Sequence, residues 1–125
     1  MSSNQQLPPF VQEQLAKFQQ TQQNFQSILM QKQQLESEKH ETEKALEELK
    51  KAGDDELVFK HAGSIMIKSN KKDLIEELEE QVELAKTKSS LLIKQEERLK
   101  TTLKEQETKI QEMIQNSSAN TKPSK

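Results

Sequence analysis

The chain has 125 residues, of which 30% are hydrophobic and 32% charged, and its only aromatics are four Phe. So few large apolar side chains cannot offset the chain entropy of a compact enzyme core, which leaves disorder or long amphipathic helix. The lack of Cys excludes a disulfide scaffold and a thiolate metal site, and a net charge of −2 supplies no basic field for nucleic acid.

Residues 1–7 are polar and read as a disordered N-terminus. Pro8-Pro9 then open a stretch without further Pro or Gly as far as Ala52. Pro is favoured in a first helical turn, so a helix is expected over residues 8–52. Its seam, at steps of three and four, runs Val11, Leu15, Phe18, Gln22, Phe25, Ile28, Lys32, Leu35, Lys39, Thr42, Leu46, Leu49, with eight of the twelve positions apolar. Two successive steps of three, Gln22-Phe25-Ile28, mark a stammer, a local overwinding of a coiled coil. Gly53 before Asp54-Asp55 is a stop signal, since Gly can take the left-handed conformation that ends many helices.

Residues 56–69 form the connector. Glu56–His61 and Ser64–Ser69 are two β-type runs around Ala62-Gly63, and Gly63 offers the positive φ that a tight hairpin needs. A two-residue loop would place Val58 and Lys60 on the face of Ile65 and Ile67. A three-residue loop with a bulge would place Leu57 and Phe59 there instead. In either register both faces of the hairpin carry apolar groups.

The second helix is expected over residues 70–115. Asn70 suits the N-cap with Asp73 at N3, and Glu76, Glu77, Glu79 and Glu80 follow where the helix dipole favours anions. Ile75, Leu78, Val82, Ala85, Ser89, Leu92, Glu96, Leu99, Leu103, Gln106, Ile110 and Met113 alternate three and four without a break, and nine of these twelve are apolar. Such a seam over more than five heptads argues coiled coil. Each helix would be roughly 65 Å long at ~1.5 Å per residue. The simplest geometry is an antiparallel pair with the chain termini together. Residues 116–125 have no periodicity and read as a disordered tail.

Charge is unevenly spread. The first 34 residues hold three charged side chains, Glu13, Lys17 and Lys32, with twelve of the seventeen Gln and the Phe residues at 10, 18 and 25. Two readings stay open: a helix that uses Gln on its solvated face, and a neutral, adaptable surface for many partners.

No constellation for catalysis, cofactor or metal binding stands out. His40 and His61 lack ligand spacing, Glu36 and His40 at i,i+4 read as a solvated pair, and no Gly-rich phosphate loop exists. The acidic run 76–80 reads as a solvated helix start, and Lys68, Lys71 and Lys72 are too few for a nucleic-acid footprint. Apolar runs reach three residues and the N-terminus lacks a signal pattern, so neither membrane nor secretion is expected and the cytoplasm is the default. An isolated two-stranded hairpin is marginal in water. Pairing hairpins between subunits, closing a shared sheet or barrel, is the simplest remedy.

Long helix, single β-hairpin, long helix resembles prefoldin. Ile28–Glu36, Glu43–Leu49, Val58-Phe59-Lys60 with Gly63 and Ile65-Met66-Ile67-Lys68, and Gln95–Lys100 are similar to the prefoldin β subunit in order and spacing. The archaeal subunit is the better match, and the eukaryotic subunit six the nearest alternative. The resemblance covers about residues 8–115. It implies a mainly α fold, an antiparallel two-helix coiled coil with one β-hairpin, whose hairpins form β-barrels in a hexamer of two α and four β subunits. Val58, Phe59, Ile65 and Ile67 would then carry subunit assembly. It also implies an ATP-independent chaperone that holds unfolded polypeptides at its coiled-coil tips and delivers them to a group II chaperonin. On this sequence the tip positions are Phe10, Val11, Leu15, Phe18, Leu103, Ile110, Met113 and Ile114. They are expected to be intermittently exposed at a fraying end, while Leu46, Leu49, Leu78 and Val82 stay buried. The rival reading is a coiled-coil tether or adaptor, which needs no hairpin. The segment 57–68 discriminates: strands favour the chaperone, a loop the tether.

Overall fold

The computed structural model describes residues 7–121. In chain order it comprises helix α1 (Pro9–Lys51), strands β1 (Val58–Ala62) and β2 (Ile65–Ser69), and helix α2 (Lys71–Thr121). Helix α1 begins on Pro9, whose missing N–H would have had no helical partner in any case. The Pro8 carbonyl accepts from the amides of Val11 and Gln12, both at 3.0 Å. Gln12 Nε2 donates back to the Leu7 carbonyl at 2.7 Å.

Contacts divide the chain into two compact units. The hairpin unit spans residues 31–93, and the terminal unit joins the described residues up to Met30 with those from Lys94 onward. In the hairpin unit Leu35, Lys39 and Thr42 share a groove with Ala85 and Lys88, while Lys50 reaches Glu79 at 3.6 Å. The residue numbers fall on one helix as they rise on the other, so the helices are antiparallel. The terminal unit has the same sense: Ile28 shares a groove with Leu99, and Phe25 with Leu103.

The seam expected for α2 lies buried or half-buried throughout. That of α1 departs at one position. Thr21, at 9% exposure, takes the place expected for Gln22, which is exposed. Thr21 suits a buried site because its hydroxyl donates to the Lys17 carbonyl at 3.0 Å and leaves only a methyl for the seam. The two successive steps of three become Leu15-Phe18-Thr21. Lys32, Lys39 and Glu96 hold half-buried seam positions, where an aliphatic stem can cover apolar neighbours while the charge stays at the rim.

Strands β1 and β2 pair antiparallel, with Ala62 opposite Ile65 and Val58 opposite Ser69. Of the two registers open to the sequence, this is the two-residue loop, and the loop residues are Gly63 and Ser64 rather than Ala62 and Gly63. Gly63 has φ +65° and Ser64 does not enter the left-handed region, the pattern of a type II′ turn. Val58, Lys60, Ala62, Ile65, Ile67 and Ser69 therefore share one face; Phe59, His61, Met66 and Lys68 share the other.

Helix α1 does not end on a left-handed Gly53; its φ is not positive. The Leu49 carbonyl accepts from the Ala52 amide at 3.1 Å, and the carbonyls of Lys50 and of Ala52, just past the helix, are taken by Lys71, the first residue of α2. Its Nζ donates to the carbonyls of Ala52 at 2.7 Å and Lys50 at 3.3 Å, and meets Asp54 Oδ1 at 3.3 Å. A cation at a helix C-terminus also opposes the negative end of the dipole. The Gly53 amide donates to Glu56 Oε1 at 2.9 Å. Helix α2 opens as its sequence suggests: Asn70 Oδ1 accepts from the Asp73 amide and Asn70 Nδ2 donates to Asp73 Oδ2, both at 2.9 Å.

Helix α2 continues to Thr121, six residues beyond the end expected at 115. Asn, Ser and Ala tolerate helix, and the first helix breaker after Gly63 is Pro123. The rest of the expected tail, residues 122–125, and most of the expected N-terminal tail, residues 1–6, lie outside the described residues.

Gly53→Ala should leave stability nearly unchanged, because the added Cβ meets Glu56 at an ordinary 3.5 Å and the backbone is not left-handed. Lys71→Met should lower it by about 1–2 kcal/mol, having stripped the Lys50 and Ala52 carbonyls of a charged donor. Urea unfolding of the purified chain followed by circular dichroism compares the two.

Candidate functional site

Beside the exposed Leu84, Leu91 and Ile93 along α2, two sets of apolar side chains stand uncovered, one at the hairpin and one near the termini. The hairpin set follows from the register. Val58 is half-buried, but Ile65 and Ile67 on its face are 58% and 41% exposed, and Phe59 and Met66 on the other face are 48% and 61% exposed. Leu57, just before β1, is 68% exposed. A two-stranded sheet also has two open edges whose backbone groups seek partners. The hairpin is steadied at Lys60, whose Nζ meets Glu77 Oε1 at 3.1 Å and Oε2 at 3.4 Å. Both side chains are about two-fifths exposed, so the pair orients β1 toward α2 and adds only about 0–1 kcal/mol. Sequence reasoning passed over this pair and the Lys71 cap, because each links residues seventeen or more apart.

In the terminal unit the eight expected tip residues divide into three groups. Phe10 is 52% exposed and Ile114 41%. Leu15, Phe18, Leu103 and Met113 are half-buried. Val11 is fully buried and Ile110 is 7% exposed. The expected gradient, open at the termini and closed at the hairpin, is therefore not the one observed. Leu49 and Val82 are each 8% exposed, no better covered than Ile110, and Leu46 and Leu78 are only half-buried. The reason lies in the length of α2. It runs past Met113 to Thr121, so Val11 and Ile110 stand within paired helices rather than at a fraying end.

One seam residue of this unit is out of keeping with its surroundings. Gln106 Oε1 is buried without a hydrogen-bond partner. The antiparallel order sets Gln106 at the level of Thr21, one step beyond the Phe25 and Leu103 pairing. The Thr21 hydroxyl is already committed to Lys17. This layer is the polar weak point of the terminal unit's seam.

Among the described residues no three His, Cys, Asp or Glu side chains converge on a metal-sized site, and no helix is long and apolar enough to cross a membrane.

Comparison with known proteins places this geometry. A family model described as prefoldin subunit matches residues 12–117. The chain is 46% identical over 93 residues to the prefoldin subunit beta of Methanococcoides burtonii, covering 74% of this chain and 80% of that one. It is 40% identical over 108 residues to the prefoldin subunit beta of Archaeoglobus fulgidus, covering 86% and 93%. Among solved structures, the crystal structure of the prefoldin beta subunit from Thermococcus strain KS-1 superposes with a TM-score of 0.74 at 34% identity, covering 95% of this chain and 99% of that one.

Replacing the stranded amide should tighten the terminal unit. Gln106→Leu is expected to raise stability by about 1 kcal/mol, since a buried acceptor without a donor disappears and apolar area is added. Amide hydrogen exchange around Ile110 and Leu15 should slow in the variant. Unchanged or faster exchange would mean that the amide has a partner in solution.

Proposed function

The chain belongs to the prefoldin family as a β-type subunit of archaeal kind, and on that premise we propose that it holds unfolded polypeptides without ATP and delivers them to a group II chaperonin. The family is one of chaperone subunits rather than enzymes, and its members assemble with other prefoldin subunits. The observation that carries the finer reading is the coexistence, in separate units, of two uncovered apolar sets. One is a hairpin with open edges, suited to fixed pairing. The other is Phe10 and Ile114, exposed beside half-buried seam residues near both termini and suited to transient contact. A tether would have no use for the hairpin, so the formation of strands over 58–62 and 65–69 favours the chaperone reading.

In this reading Val58, Phe59, Ile65 and Ile67 join the hairpins of two α-type and four β-type subunits into β-barrels, in the cytoplasm. Phe10 and Ile114 offer the first contact to a client. Leu15, Phe18, Leu103 and Met113 add area by rotamer adjustment, at which Met excels. Val11 and Ile110 join when the helix ends part. Several subunits together hold a client far better than one, because every contact after the first is intramolecular.

Ile65→Lys and Phe59→Asp should each block hexamer formation with an α-type partner while helical circular dichroism persists. Light scattering after size exclusion reads the mass, and a hexamer that survives both substitutions contradicts the assembly assignment.

Deleting residues 1–18 together with 107–125 should abolish protection of an unfolded client and spare the hexamer, since the deleted residues belong to the terminal unit and the hairpin does not. Deleting residues 116–125 alone should have little effect. Suppression of client aggregation, measured with and without ATP, should not depend on the nucleotide. Full protection by the double deletion would refute the placement of the client site.

A further inference from the structure

The solvated side of α1 changes its chemistry along the helix. From Glu36 to Lys51 it is built of Glu, Lys, Ser and His, a usual way to hydrate a helix. From Pro9 to Gln34, ten Gln stand beside three charges. Helix propensity does not explain the exchange, since Lys, Glu and Gln are near equals. Hydration does not either, because ions hydrate better than amides.

In the terminal unit these amides edge a groove of about 800 Å³. Gln19, Gln22, Gln23 and Gln26 line it, with Phe25 and Leu103 half-buried between the helices. Met30, at its end, is 70% exposed. No ionic side chain contributes to the lining. Gln12 and Gln20 are engaged locally, by the Leu7 carbonyl and by Asn24, whereas the side-chain amides of the four groove Gln are exposed and make no hydrogen bond within the described residues.

A primary amide offers two N–H donors and a carbonyl acceptor. A peptide unit offers one of each, and an unfolded chain carries them unpaired. A carboxylate could satisfy only the N–H of that unit and an ammonium only the C=O, and either would lose hydration on contact. A row of Gln satisfies both, in any sequence of client and with no ion to desolvate. We infer that this groove is a binding site for the extended backbone of an unfolded polypeptide: the Gln amides pair with its peptide groups, and Phe25, Leu103 and Met30 receive its apolar side chains. The inference rests on the holding function proposed above and adds to it a contact that reads backbone rather than hydrophobicity.

The test uses the assembled complex and reduced, carboxymethylated α-lactalbumin as the unfolded probe. Gln22→Glu with Gln26→Glu, and Gln22→Lys with Gln26→Lys, should each weaken binding about tenfold while native mass and helical circular dichroism stay unchanged. Weakening by one sign of charge alone would make the groove an electrostatic contact and overturn the inference. A second measurement compares an apolar peptide with its backbone N-methylated counterpart, which keeps the side chains and loses the N–H donors. The wild type should prefer the unmodified peptide, and Gln22→Ala with Gln26→Ala should lose that preference; equal affinity of the wild type for both peptides also overturns the inference. If all groove variants hold the probe like the wild type while Phe10→Ser with Ile114→Ser releases it, the groove is unused and the proposed function stands. A wild-type complex that does not hold the probe removes both readings together.

Discussion

A helix packed on a single neighbour can cover one stripe of its side chains and no more. Among the described residues that stripe leaves five apolar side chains buried, Val11, Leu49, Val82, Ala85 and Ile110, together with Thr21, and the other seam positions part open. Two consequences follow. Seam positions at the rim tolerate Lys32, Lys39, Ser89 and Glu96, because water still reaches them and no ion has to be fully desolvated. Apolar residues beyond the stripe, such as Met30, Leu84 and Leu91, are left outside. A fold this thin cannot draw much stability from its own interior, and its surplus apolar surface is available to other chains.

The reversal between α1 and α2 faces the opposite difficulty, backbone groups rather than side chains. Four carbonyls at the end of α1 and four amides at the start of α2 need partners where the chain leaves helical geometry. Adjacent residues serve both ends: Asn70 caps α2, and Lys71 reaches back to the carbonyls of Lys50 and Ala52. With the excursion closed at its base, the hairpin above it needs few contacts with the helices. Lys60 and Glu77 orient it, and Phe59, Ile65, Met66 and Ile67 stay uncovered.

Where a feature depends on local chemistry, it was legible in the sequence. The two helices, the N-cap at Asn70, the pair of strands and nearly all of both seams follow from spacing and capping rules. The register was not legible, because a left-handed Gly63 suits a two-residue loop and a bulged three-residue loop alike; the pairing of Ala62 with Ile65 decides for the former. Thr21 was missed in favour of Gln22 because periodicity does not register that a Thr hydroxyl can be satisfied by its own helix. Gly53 drew attention as a helix terminator although a side chain from eighteen residues later does that work. The end of α2 was set too early because Asn and Ser discourage helix only weakly, and no breaker precedes Pro123. That error carried over to the tip residues: with α2 running to Thr121, Val11 and Ile110 belong to the core of the terminal unit.

The charge distribution separates the two units by the kind of contact each can make. The hairpin unit carries its charges in partly solvated ion pairs: Lys60 on Glu77, Lys50 on Glu79, Lys71 on Asp54. Charged groups reward one arrangement and penalise others, which on the proposed reading suits a surface that meets the same partner each time. The α1 part of the terminal unit has two charges, Glu13 and Lys17, and many amides. An amide can donate or accept after a rotation about one bond, and it gives up less hydration than an ion when a neighbour arrives. Such a surface discriminates poorly, and poor discrimination is what a holder of unfolded chains requires. On the proposed reading, one helix thus serves specificity at its hairpin end and tolerance at its start, through the exchange of Glu and Lys for Gln along an unbroken backbone.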